Sequence, residues 1–290
     1  MVIKHLVISG GAYKGLYTLG ALNHLSNINF YNIEEIETIY GSSVGGMIGL
    51  ILCLKLDLAD VLEHAINRPW NNLFHFTAET LLNMLDKKGL LSKDFIVSLF
   101  DNFLKNAGIS KNATMKDLYN FSKITLYLFT VNIKSFKLEI ISHETHPNMK
   151  VLDAIYMSVA IPFIFQPPLF KECYYIDGGV INPYPLNICI KDGKSTDEIL
   201  GFKIIDDKLD STNEAASIFH FGFYLFYRLI KENWDWGIEG NISNEIIIPA
   251  VTMNISDARK IINDKSVREK MIDDGEKYAK LFLKYKSKNN

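Results

Sequence analysis

The chain has 290 residues, 48% of them hydrophobic, with a formal net charge of −2 and a pI near 6.4. That is enough for one large α/β domain with a sizeable core, and the charge balance argues against nucleic acid, which needs a concentrated basic face. Cys53, Cys173 and Cys189 are too far apart for a metal motif or a disulfide framework, so a reducing compartment is expected.

The first residues, Met1 to His5, run straight into an apolar strand, so no signal peptide is expected. Leu6-Val7-Ile8 reads as that strand. A glycine-rich turn follows, Ser9-Gly10-Gly11-Ala12-Tyr13-Lys14-Gly15, and then a helix through Leu16, Leu19, Leu22 and Leu25. The pattern repeats at once: a strand over Ile36–Tyr40, a tight turn Gly41-Ser42-Ser43-Val44-Gly45, and a helix over Met47–Leu54. Two strand–turn–helix units in a row open a parallel sheet with helical crossovers.

Residues 57–108 show apolar positions three and four apart and read as helical, with Arg68–Thr77 as an aromatic loop or cap. Ile124–Ile133 and Phe136–Ile141 read as two strands joined at Lys134-Ser135. Leu152–Ile161 is a short helix stopped by Pro162. Tyr174-Tyr175-Ile176 is a strand ending at Asp177-Gly178-Gly179, and Glu198–Ile205 and Glu245–Ile248 are further strands. Ala215–Lys231 reads as an aromatic helix. Ser256–Tyr285 reads as a long amphipathic helix with a break expected near Gly275. No internal repeat or low-complexity linker divides the chain, so one domain over 1–290 is expected.

No stretch makes a membrane span. Met47–Leu54 is short of the roughly 20 residues required, and Val151–Phe170 carries Asp153, Gln166 and three prolines. The expectation is a cytoplasmic protein whose contact with membranes is peripheral. The aromatic run Phe219–Tyr227 is a candidate for that contact or for a core helix.

Gly41-Ser42-Ser43-Val44-Gly45 fits G-x-S-x-G, in which a serine sits on a sharp strand-to-helix turn and small neighbours let the backbone bend. The first glycine turn lacks the ending of a phosphate-binding P-loop, since Lys14 is followed by Gly15 and Leu16. It can instead offer backbone donors to an oxyanion. A serine needs a base. None of His5, His24, His64, His75, His143, His146 and His220 stands in a catalytic context. Asp177 ends a strand, where sites gather in open α/β sheets, and Gly178 and Gly179 leave room beside it. No His/Cys/Asp cluster has metal-ligand spacing, and no cofactor is implied.

Four motifs in order resemble the patatin-like phospholipase family. Gly10-Gly11-Ala12-Tyr13-Lys14-Gly15 resembles its glycine-rich oxyanion loop, with Ala12 in place of a third glycine. Gly41-Ser42-Ser43-Val44-Gly45 matches its nucleophile elbow, and Ser158-Val159-Ala160-Ile161-Pro162-Phe163-Ile164-Phe165-Gln166-Pro167 matches S-x-A-x-P-x-x-F-x-P. Asp177-Gly178-Gly179 matches D-G-[GA], with Asn182-Pro183 beyond. The matching region runs from about residue 4 to about residue 205.

The resemblance implies a three-layer α/β/α fold with a mostly parallel sheet. It implies a Ser43–Asp177 dyad, an oxyanion hole from the amides of Gly10, Gly11 and Ala12, and a phospholipid or other acyl-lipid substrate. Lys14, Gly15, Gly41, Gly45, Gly178 and Gly179 would support the motifs, Lys14 by positioning the loop. Three other readings stand beside it: an α/β-hydrolase esterase using Ser43, Asp177 and His220, a non-catalytic lipid-binding protein, and a nucleotide-binding protein using the first loop.

Overall fold

A computed structural model of the chain describes residues 2–73, 86–206, 221–222, 225–226, 228–230, 241–250 and 255–289. His75, His220, Trp234, Trp236 and most of the aromatic run Phe219–Tyr227 lie outside the described residues.

Both opening units form as the sequence pattern predicts. β1 (His5–Ile8) leads into α1 (Gly15–Asn27), and β2 (Thr38–Gly41) leads into α2 (Val44–Cys53). All four residues of each strand are buried, as expected of parallel strands covered on both faces. α3 (Leu58–Asn67) follows, started by the Asp57 carboxylate, which accepts the Ala59 N–H at 2.8 Å. The 57–108 region is not continuously helical: β3 (Gly89–Leu91) intervenes before α4 (Lys93–Asn106). α5 (Met115–Ser122) carries a full capping box between Thr114 and Asp117. β4 (Thr125–Asn132) and β5 (Lys137–Ile141) form the expected hairpin.

α6 (Val151–Ser158) stops short of Pro162, and β6 (Phe163–Phe165), β7 (Leu169–Phe170) and β8 (Cys173–Asp177) follow. α7 (Leu186–Lys191), β9 (Ile199–Asp206), β10 (Glu245–Ala250), α8 (Ile255–Asn263) and α9 (Lys265–Asn289) complete the described elements.

The main sheet runs β10-β9-β1-β2-β4 with every pairing parallel. β4 then takes two antiparallel partners. Leu128 lies between Gly41 and Ile141, and Thr130 lies between Asp177 and Glu139. A strand has two edges and β5 fills one of them, so β2 and β8 share the other, end to end. The C-terminal ends of β2 and β8 therefore meet.

Strand alternation divides the core. Leu6, Ile8, Ile39, Leu126, Leu128, Leu200 and Phe202 face a large layer that includes α1, α2, α4 and α9. Val7, Tyr40, Phe129 and Ile199 face a thinner layer built on Tyr184, Leu186 and Cys189. The result is the expected three-layer α/β/α arrangement.

The C-terminal helical region breaks at Asp264, not at Gly275. The Asp264 carboxylate accepts the Ser266 N–H at 2.8 Å and so begins a new helix. Gly275 serves the packing of α9 on α1. A Cβ there would stand 2.0 Å from the Tyr17 carbonyl oxygen, and one at Gly20 would stand 2.1 Å from that of Ile272. Among the described residues no helix is long and apolar enough to cross a membrane.

Candidate active site

Ser43 sits between β2 and α2 with φ 53° and ψ −124°. A non-glycine residue held there costs on the order of 1–3 kcal/mol, and its neighbours enforce it. A Cβ on Gly45 would lie 2.2 Å from the Ile8 carbonyl oxygen, and one on Gly41 would lie 2.5 Å from that of Gly45. Only glycines let the turn close against β1. The Gly46 N–H donates back to the Ser43 carbonyl at 2.8 Å, which fastens the first turn of α2. The positive end of that helix thus lies beside the Ser43 side chain.

Asp177 ends β8, and its position follows from β4. Gly41 pairs with Leu128 and Asp177 pairs with Thr130 on the same edge. Two residues of strand rise, roughly 7 Å, separate those registers, and the side chains close the remaining gap. Ser43 Oγ donates to Asp177 Oδ2 at 2.5 Å, and the Gly179 N–H donates to Asp177 Oδ1 at 2.6 Å. The Asp177 N–H is held by the Ala160 carbonyl at 3.0 Å, so the S-x-A-x-P stretch anchors the strand end.

Both side chains are buried, Ser43 at 5% exposure and Asp177 at 3%. Burial pushes the Asp177 carboxyl up to about 7, while the hydrogen bonds from Ser43 and Gly179 pull the other way. A carboxylate near 7 is a far better base than one in water.

The glycine-rich loop lies against this pair. The nearest atom to a Cβ built on Gly10 is Ser43 Cβ, at 3.2 Å. Its three expected donors are not equivalent. The Gly10 N–H donates to the Pro183 carbonyl at 2.8 Å, which corrects its expected role as an oxyanion donor. The Gly11 and Ala12 N–H groups bond no acceptor among the described residues. Ala12 accepts φ 50°, the left-handed conformation that a glycine would adopt more easily. Lys14 is buried at 4% exposure, in keeping with a place inside the loop's support. A Cβ on Gly15 would reach within 2.6 Å of Val44 Cγ2, which explains that glycine. Gly178 packs on β4, where a Cβ would lie 2.4 Å from the Phe129 carbonyl, and Gly179 sits beside the Asp177 carboxylate.

Two supports were not visible in the sequence. Ser42 Oγ donates to the Asn182 carbonyl at 2.9 Å, tying the elbow to the segment after Asp177. Thr130 Oγ1 lies 2.9 Å from the Ile176 carbonyl and 3.1 Å from that of Met157. A threonine inside a strand carries no local signal of such a role.

Residues 6–190 match the sequence profile of the patatin-like phospholipases. The chain belongs to that family. A protein of Invertebrate iridescent virus 6 named as a probable lipid hydrolase is 32% identical over 190 residues, covering 65% of this chain and 63% of its own. An uncharacterized protein of Acanthamoeba polyphaga mimivirus is 26% identical over 186 residues, 64% of this chain and 61% of its own. The chain thus spans about three fifths of the length of these curated relatives. Among solved structures, VipD from Legionella pneumophila shares the fold with a TM-score of 0.57 at 17% identity, covering 98% of this chain and 67% of that one.

In this patatin-like chain the described histidines lie elsewhere. His5 Nδ1 is 2.8 Å from Thr38 Oγ1 in the sheet, His64 is beside Arg68, and His143 stacks on Tyr119 at 3.7 Å. His24 is near Glu276 and His146 contacts Thr145. Among the described residues no group of three or more His, Cys, Asp or Glu side chains is placed to hold a metal ion.

Proposed function

We propose that this patatin-like chain is a lipid acyl hydrolase in which Ser43 attacks an ester carbonyl and Asp177 takes its proton directly. The observation carrying this reading is the 2.5 Å hydrogen bond from Ser43 Oγ to Asp177 Oδ2 in a buried pocket of backbone turns. As Ser43 attacks, its proton passes to Asp177 and negative charge gathers on the former carbonyl oxygen. The Gly11 and Ala12 amides and the N-terminus of α2 stabilise that charge. Asp177 then returns the proton to the leaving alcohol. Water, deprotonated by the same carboxylate, releases the acid from the acyl-enzyme.

Family membership and the relative named as a lipid hydrolase support a glycerolipid or phospholipid ester as substrate. A panel of phospholipids and neutral glycerides with product analysis tests this. Wild type is expected to release fatty acid from at least one of them, and Ser43→Ala to lose roughly three or more powers of ten in rate while melting normally. Labelling of wild type but not Ser43→Ala by a fluorophosphonate separates an enzyme from a lipid carrier on the same fold.

Because the proton moves between two side chains in contact, hydrolysis of a soluble short-chain ester is expected to persist in EDTA. Loss on chelation with recovery on adding calcium would contradict this mechanism.

A further inference from the structure

Of the ten non-glycine residues with positive φ, eight lie away from the site, and five of these gather in one region: Lys88, Phe136, Phe163, Lys171 and Glu172. They are not scattered. Phe136 closes the β4–β5 turn, and Lys171 and Glu172 form the turn between β7 and β8. The two turns adjoin, because the Ile133 N–H donates to the Tyr174 carbonyl at 2.9 Å and Tyr174 pairs with Leu169. Lys88 Nζ stands 5.3 Å from the Tyr174 ring centre, and the next residue, Gly89, pairs with Phe163. Phe163 in turn meets Phe226 edge-on at 6.0 Å.

These turns push apolar side chains into solvent. Leu169 is 63% exposed, Phe136 62%, Ile133 44%, Phe163 40% and Tyr174 39%. Folded proteins rarely cluster such side chains on strained turns without use for them. Lysines stand among them: Lys88 over Tyr174, Lys171 with its Nζ 5.2 Å from the Phe170 ring, and Lys134 beside Ile133. Glu172 is the one acidic residue in the two stretches 133–136 and 169–174.

We infer that this face docks on an anionic phospholipid surface, with Leu169, Phe136, Ile133 and Phe163 entering the interfacial layer and the lysines meeting lipid phosphates. Apolar tips ringed by lysine suit that partner: the tips gain from leaving water and the lysines from the negative surface potential. The face also continues into the proposed site. β8 runs from Tyr174 directly to Asp177, and Phe163 lies three residues beyond Ala160, whose carbonyl holds the Asp177 amide. This inference rests on the lipid-hydrolase reading for its purpose, but its test does not depend on turnover.

The experiment is co-sedimentation of the full chain, in the Ser43→Ala background, with vesicles of phosphatidylcholine alone or with 30 mol% phosphatidylglycerol. Binding is expected to be at least tenfold stronger to the anionic vesicles and to weaken in 0.5 M salt. Phe136→Ser/Leu169→Ser should cut binding at least tenfold, and Lys88→Gln/Lys134→Gln/Lys171→Gln should remove the preference for anionic lipid. In the Ser43-containing protein both sets should leave hydrolysis of a soluble short-chain ester unchanged. Wild-type affinity in either folded variant would overturn the inference, and so would equal binding to both vesicles. If the apolar variant fails to fold, the lysine variant decides alone. Vesicle binding without any ester hydrolysis would overturn the catalytic reading and leave this one standing.

Discussion

Asp177→Asn is expected to silence ester hydrolysis and, above pH 7, to make the protein more stable than the wild type. The rate should fall roughly 10³-fold or more, because the amide keeps the shape but cannot take the Ser43 proton. The stability gain follows from burial. Asp177 has its proton affinity raised from 3.8 to about 7 in the folded chain. Between those values the folded protein holds a proton that the unfolded chain releases, so stability falls as pH rises through about 7. The full difference corresponds to roughly 4 kcal/mol. Asparagine never ionises and escapes that cost.

Melting curves of the two proteins from pH 4 to 8 should show the gap widening with pH and closing towards pH 4. A gap independent of pH would mean that Asp177 is not a raised, buried acid. The wild-type rate should correspondingly rise with pH through about 7, as Asp177 loses its proton. His143→Ala and His146→Ala should each retain most activity, and the same is expected of His220→Ala. A dead His220→Ala enzyme would favour the esterase triad over the dyad.

Gly20→Val is expected to be among the most destabilising single changes, and Gly222→Ala nearly silent. At Gly20 a Cβ would stand 2.1 Å from the Ile272 carbonyl oxygen, whereas at Gly222 nothing among the described residues lies within 4 Å. The collision at Gly20 is with backbone, so α1 and α9 must separate. Overpacking of this kind costs on the order of 3 kcal/mol, roughly 5 °C in Tm for a chain of this size. Thermal unfolding of both variants checks it. Equal melting temperatures would mean that the two helices do not pack this closely.

The same helix pair marks where the sequence could be read and where it could not. A glycine inside a helical pattern signals either a break or a close approach, and nothing local distinguishes them. The break was expected at Gly275; the structure puts it at Asp264, and Gly275 meets the backbone of α1. Elements with strong periodicity or a motif at their ends were legible: β1, α1, β2, α2, the β4–β5 hairpin and β8. The short strands β3, β6 and β7 were not, because each is only two or three residues long, and β3 and β6 are fixed by pairing with each other across a long stretch of chain. Ser43 and Asp177 could be singled out because turn chemistry surrounds both. That the Gly10 amide goes to Pro183 could not, since it depends on two loops 173 residues apart.

β4 has a further consequence, for which parts of the chain can change length. The spacing of Ser43 and Asp177 is set by two steps along one strand, from Leu128 to Thr130. The segments between those strands do not all stand apart from that spacing, because Ala160 holds the Asp177 amide and β7 pairs with β8. A loop that touches neither register nor anchor, such as 107–112 between α4 and α5, can change length without moving the pair. Insertions there are expected to leave the pairings of Gly41 with Leu128 and of Asp177 with Thr130 intact, so that the chain can vary in length while the proposed pair is held still.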